Sequence, residues 1–259
     1  MTDTTALSPI PTVRGIGTVD TYQALRAGLS DFQRAPLFGL FFGALFSVFG
    51  ILIAWGLVQG EASYWILPAA AGFPLVGPFA AVGLYEVSRR LERGEPLQWW
   101  PVLTSGFTAR GGQLPFFAVL AIFVFLVWIV LARVIFAVSF GTASMTNIMT
   151  SFEVFFTFQG ILMLAIGSTV GAALATLLFS ISVVGVPLLV DRDIDVVTAM
   201  ITSFKATVEN RSAMFLWGCI VAVTSIFAML PLFLGMILVF PMLGHSAWHL
   251  FRMVIEPEG

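Results

Sequence analysis

Long uncharged stretches alternate along this chain with short segments in which apolar residues recur every three or four positions. Residues 18–33 show the second pattern. Val19, Tyr22, Leu25, Leu29 and Phe32 share one face of a helix, and Asp20, Arg26 and Asp31 lie off it. The rhythm returns in Leu97, Trp100, Leu103 and Phe107, and again in Ile194, Val197, Ile201, Phe204 and Val208. The spacing predicts three amphipathic helices lying on a bilayer surface. Between them run apolar stretches near the ~20 residues that cross a bilayer: 36–58, 64–84, 114–134, 160–182, 213–228 and 232–251. The expected fold is all-α, a polytopic membrane helical bundle of about six transmembrane helices and three interfacial ones.

The punctuation repeats as well. Phe73-Pro74-Leu75-Val76-Gly77 recurs as Phe240-Pro241-Met242-Leu243-Gly244, with a weaker version in Gly185-Val186-Pro187-Leu188-Leu189-Val190-Asp191-Arg192. Each copy ends an apolar segment and leads to arginine: Arg89 and Arg90, Arg252, and Arg192. A unit of surface helix, outward span, turn and proline-containing return span therefore occurs about three times, over 18–93, 97–192 and 193–255. The copies run in one direction, unlike inverted transporter repeats. Pro74, Gly77, Pro187, Pro241 and Gly244 mark expected kinks, because proline removes a helical donor and neighbouring helices must serve the freed carbonyl. The domain reading is a disordered leader over 1–17, one integral membrane domain over 18–255 and a tail over 256–259. Residues 139–157 form the longest external connection. Phe152, Phe155, Phe156 and Phe158 lay it on the membrane, as a surface helix or a re-entrant segment.

Composition agrees with the pattern. Of the 259 residues, 59% are hydrophobic and 10% are charged, against about 25% charged in a soluble domain. The net charge of −2 matters less than where the charges fall. Eleven of the 12 basic residues lie on one side of the six-span scheme: Arg14, Arg26, Arg34, Arg89, Arg90, Arg93, Arg110, Arg192, Lys205, Arg211 and Arg252. The positive-inside rule then puts both termini and all three surface helices in the cytoplasm. No basic run points to nucleic acid. The single Cys219 cannot form an intrachain disulfide and reads as a packing residue.

Few side chains offer chemistry. His245 and His249 are the only histidines, one turn apart beside Trp248. They are weak candidates for haem or metal; their expected role is hydrogen bonding at the interface. Arg133 and Glu153 are candidates for an ion pair on the external face. Asp193 is a plausible cap of the third surface helix, with Asp195 in its first turn. Gly39, Gly43 and Ser47, and Gly167, Gly171 and Ala175, give two small-residue faces for close helix contact. No Asp, Glu or Lys falls inside an expected span, which argues against an ion-coupled transporter.

The closing run Phe240-Pro241-Met242-Leu243-Gly244-His245-Ser246-Ala247-Trp248-His249-Leu250-Phe251-Arg252 resembles a bacterial family of integral membrane proteins, domain of unknown function 2189. The stretches 73–90 and 199–211 also resemble it, and the likeness extends over about 18–255. The resemblance implies a bacterial inner-membrane setting and no established activity. Some family members carry the label of cytochrome c oxidase subunit I. That catalytic subunit needs more histidines and more spans than this chain has.

The leading expectation is a non-catalytic scaffold, accessory subunit or assembly partner of a larger membrane complex. The alternative is a carrier or binder of an apolar small molecule, a lipid or quinone; a haem or metal protein through His245 and His249 ranks below both. No catalytic residue, metal or cofactor is expected. Expected partners are the lipid bilayer and another membrane protein or a second copy of the chain.

Overall fold

The computed structural model describes residues 11–60, 66–72, 76–108, 112–141 and 152–257. Among them it is helical throughout, apart from a single antiparallel bridge between Val13 and Ile255. Four helices are long and apolar enough to cross a membrane. They are α2 (Pro36–Gln59), α7 (Leu114–Phe140), α8 (Phe158–Ser182) with its continuation α9 (Gly185–Asp191), and α11 (Arg211–Met229). Proline opens α2 and α7, where its missing N–H would have had no partner anyway. Thr157 caps α8 by accepting from the Gly160 amide at 3.1 Å.

Two of the six expected spans fall short. The segment 64–84 is not one helix. It contains α3 (Ile66–Gly72) and α4 (Gly77–Ala80), and α5 (Val82–Arg93) follows. Pro68, Pro74 and Pro78 interrupt it too closely for a continuous ladder, and Pro78 opens α4. Phe73, Pro74 and Leu75 of the first motif copy lie outside the described residues, as do 142–151 of the long external connection. In that connection α7 runs on to Phe140, and a short 3₁₀ turn (Phe152–Phe156) precedes α8. The other short case is α12 (Met236–Val254), which carries Pro241 inside and His245, Ser246, His249 and Arg252 in its second half.

The three surface helices are α1 (Thr18–Arg34), α6 (Trp99–Thr108) and α10 (Val196–Glu209). Their apolar stripes face away from the protein. Val19 is 66% exposed and Ile201 63%, and Tyr22, Trp100, Val197 and Phe204 are exposed with them. The faces turned inward are small or polar: Thr21, Ala24, Gly28 and Asp31 on α1, and Ala199, Thr202, Ser203 and Ala206 on α10. Water would oppose such an orientation, whereas the edge of a bilayer favours it.

Packing runs in a ring. The returning α5 packs on α6, α8 and α9 pack on α10, and α12 packs on both α1 and α2. The ends of α5, α9 and α12 meet at the surface-helix side around Leu84, Val186, Leu188, Leu189, Leu250 and Phe251. Two expectations need correction. The leader is not disordered from residue 11 onward: the Arg14 amide donates to the Val254 carbonyl at 2.7 Å, and the Ile16 amide donates to Asn210 Oδ1 at 2.6 Å. Asp195 caps α10 instead of Asp193, accepting from the Thr198 amide at 2.9 Å and from its hydroxyl.

Candidate functional site

The arginines that close the three motif copies gather at one end of the bundle. Asp191, at the end of α9, is buried. It accepts from Arg93 of α5 at 3.1 Å and from Arg252 of α12 at 3.3 Å. Arg252 also donates to Glu92 at 3.0 Å, and the Trp248 indole donates to the other Glu92 oxygen at 3.2 Å. All three return segments are thus tied through one carboxylate. Arg89 and Arg90 act closer to home. Both donate to Glu86, at 2.7 and 2.6 Å, and Arg90 reaches the Pro96 carbonyl across the turn into α6. Burial works against the Glu86 charge, but the two guanidinium groups outweigh it and hold the carboxyl below its ordinary range.

The histidines belong to the same cluster. His249 Nε2 lies 2.7 Å from Asp31 Oδ2, and His245 Nδ1 lies 2.8 Å from Ser88 Oγ. Burial opposes the Asp31 charge; hydrogen bonds from His249 and Ser88 outweigh it and hold that carboxyl low. A carboxylate only accepts, so the Ser88 hydroxyl donates to Asp31 and receives the Nδ1 proton of His245. His245 Nε2 is then a bare acceptor, buried and without a partner among the described residues. The hydrogen bonding expected of the two imidazoles at the interface is made within the protein: His245 is completely buried, and His249 is turned to Asp31. No group of three His, Cys, Asp or Glu side chains among the described residues is placed to hold a metal.

The two small-residue faces meet different surroundings. On α2, a Cβ at Gly43 would overlap the Ile237 carbonyl, and one at Gly39 would meet Phe32 and Pro241. Ser47 Oγ donates to the Phe233 carbonyl at 2.7 Å. Ile237 stands four residues before Pro241, so its carbonyl is the one that Pro241 cannot serve. The small face of α2 is where that freed oxygen is accommodated. The rest of the motif locks the same contact: Phe240 stacks on Phe46 at 4.1 Å, and Gly244 leaves room for Leu84. Pro187 is buried in α9, and nothing lies near a Cβ added at Gly77.

On α8, by contrast, Gly167, Gly171 and Ala175 line a cavity of about 1000 Å³. Nothing lies within 4 Å of a Cβ added at Gly167, and Gly171 faces the Trp128 ring. The walls come from α3, α4, α5, α7, α8, α11 and α12, and they are mostly apolar; Trp128, Phe179, Trp217, Phe240 and Leu243 are among them. Trp128 is held by its indole N–H, which donates to the Pro68 carbonyl at 2.9 Å. Cys219 also borders the cavity. The polar lining includes Tyr85, Ser182, Thr207 and Arg211. Arg211 is the one charged side chain among the described lining residues. Sequence reasoning missed Tyr85, Ser182 and Arg211 as a set, because only the fold brings the start of α5, the end of α8 and the start of α11 to one space. Arg133 and Glu153 are both exposed, and neither forms an ion pair with the other or with any of the described residues, so the expected external pair is not made.

The arrangement defines a helical membrane protein with an intramembrane apolar cavity and a polar cluster closing one end of the bundle. Residues 66–191 match the family described as predicted integral membrane protein (DUF2189). The match contains the whole of the first motif copy, Phe73 to Gly77, and the weaker version from Gly185 to Asp191, one residue short of Arg192; the run 240–252 lies beyond it. No curated protein and no solved structure matches the chain.

Proposed function

We propose that this chain is a non-catalytic binder of an apolar or amphiphilic small molecule held between its membrane helices. The observation that carries this reading is the cavity of about 1000 Å³, at the upper end of the range for ligand sites. The scaffold reading drew on the two small-residue faces, the three amphipathic surface helices and the lack of ionisable residues in the spans. One of the two faces is occupied within the chain by Ile237, Phe32 and Pro241, and the other borders the cavity. The binder reading therefore takes first place. The two shorter return segments, in this proposal, complete six crossings in a bacterial inner membrane, with both termini cytoplasmic. The ring in which each return segment packs on the next surface helix supports a three-fold parallel repeat.

The test is to fill the cavity. Gly167→Phe adds a ring where nothing stands near the Cβ. Wild-type protein extracted in mild detergent should release a lipid or quinone in native mass spectrometry, and the variant should retain several-fold less. Equal retention in two folded proteins would sink the proposal.

A further inference from the structure

We infer that the occupant is an anionic phospholipid drawn from the bilayer, with its phosphate at the Arg211 end of the cavity. The inference rests on the binder reading above and adds the ligand's charge and orientation. Four observations converge. Arg211, an exposed residue, is the only charged side chain among the described lining residues, and it makes no ion pair or hydrogen bond with them. A lone cation bordering an apolar space selects a single negative charge. Arg211 is also the first residue of α11, a 19-residue helix with no side-chain cap. The residue before it, Asn210, spends its side chain on the Ile16 amide and on the Arg14 and Ala206 carbonyls. The first N–H groups of α11 thus lack a capping side chain, and a helix N-terminus attracts phosphate.

The buried hydroxyls point the same way. Tyr85 is 2% exposed and Ser182 is 1% exposed; both line the cavity, and neither hydroxyl has a hydrogen-bond partner among the described residues. Buried donors are rarely left so, because an unmade bond costs about 1–3 kcal/mol. A phosphate offers several acceptor oxygens, and the apolar walls suit acyl chains. A quinone head is neutral and leaves the Arg211 charge unanswered. Tyr85, Ser182 and Arg211 sit where their segments reach the surface-helix side, the level at which bilayer headgroups lie.

The full chain is placed in nanodiscs of equal phosphatidylglycerol and phosphatidylcholine, released, and weighed by native mass spectrometry. Wild type is expected to retain phosphatidylglycerol over phosphatidylcholine by roughly fivefold or more. Arg211→Gln should bring that ratio close to one while the total number of bound lipids is unchanged; Arg211→Lys should restore most of the preference. Tyr85→Phe should lower the retention of both lipids, since each carries a phosphate, without lowering the melting temperature, since the lost hydroxyl had no partner among the described residues. Arg26→Gln, at an exposed position of α1, is the control and should leave the ratio intact. Retention without preference overturns this inference and leaves the cavity reading standing. Equal losses from Arg211→Gln and Arg26→Gln also overturn it, because they reveal a diffuse interfacial effect. Wild type that retains no lipid of either kind removes both readings.

Discussion

His249 Nε2 and Asp31 Oδ2 lie 2.7 Å apart although 218 positions separate them in the chain. The bond joins the last helix to the first, and the Asp31 carboxylate it serves is buried. Its carboxyl is held below the ordinary 3.8. A depressed folded-state value stabilises the fold above the unfolded value, and the contribution is lost as pH falls through the folded one. Melting in detergent should therefore be insensitive to this group from pH 7 to about 5 and should weaken below about 4. Asp31→Asn should cost about 2 kcal/mol at pH 7, and the gap from wild type should narrow in acid. A gap that is constant down to pH 3 would rule out the assignment.

Asp191 holds Arg93 and Arg252 together. Asp191→Asn removes the carboxylate that lies between Arg93 and Arg252, and leaves Arg252 only its pairing with Glu92. Both outer arginines are partly solvated, so the cost should be about 2 kcal/mol, below the 3–5 of a fully buried pair. Thermal melts of the variant and of Asp191→Glu check the number. A melting temperature unchanged by Asp191→Asn would show the cluster to be decorative.

Two glycines, Gly43 on the small face of α2 and Gly167 on that of α8, should respond in opposite directions. Gly43→Val pushes a side chain into the Ile237 backbone and should cost about 1–3 kcal/mol or more. Gly167→Ala meets nothing within 4 Å and should gain about 0.5–1 kcal/mol from helix propensity. Chemical-denaturant or thermal curves for the pair separate packing from propensity.

Reporter fusions test the crossing count. Fusions after Gln59, Ser144 and Pro231 should report the periplasm, and those after Arg93 and Lys205 the cytoplasm. A cytoplasmic signal at Ser144 would overturn the six-crossing scheme. Four crossings alone would show the broken return segment and α12 to be buried short of the far face.

Purified protein is expected to carry neither haem nor stoichiometric transition metal. His249 already faces Asp31 and His245 faces Ser88, and the two rings share one helix. The absorption spectrum and metal analysis decide it; a Soret band lost in His249→Ala would revive the redox reading. The double variant His245→Ala with His249→Ala is expected to melt lower than wild type, because His245 is fully buried.

Much of the fold was legible because bilayer physics writes it into long patterns. α2, α7, α8 and α11 follow from uncharged length alone. The stripes of α1 and α10 were visible at Val19 to Phe32 and Ile194 to Val208. Their inner faces, Thr21, Ala24, Gly28 and Asp31 among them, repeat at the same spacing but carry no hydrophobic signal. The division of this segment into α3, α4 and α5 was signalled by three prolines, yet period counting reads through them. The cavity was not legible. Gly167 and Gly43 look alike in a sequence, and only the partner helix decides whether a small residue meets a backbone or a space.

The closure of α12 on α1 also constrains synthesis. Asp31 is made 218 residues before His249, a wait of about 11–44 s at roughly 5–20 residues per second. During that time α1 has its outward stripe to hold it on the lipid, while the helix that packs most extensively on it is still missing. Until that last helix arrives, the Asp31 carboxylate has Arg34 and Ser88 beside it but not His249. Quality control that recognises exposed polar faces therefore has a long window on this chain, and any lesion that delays α12 should be read as a defect of α1.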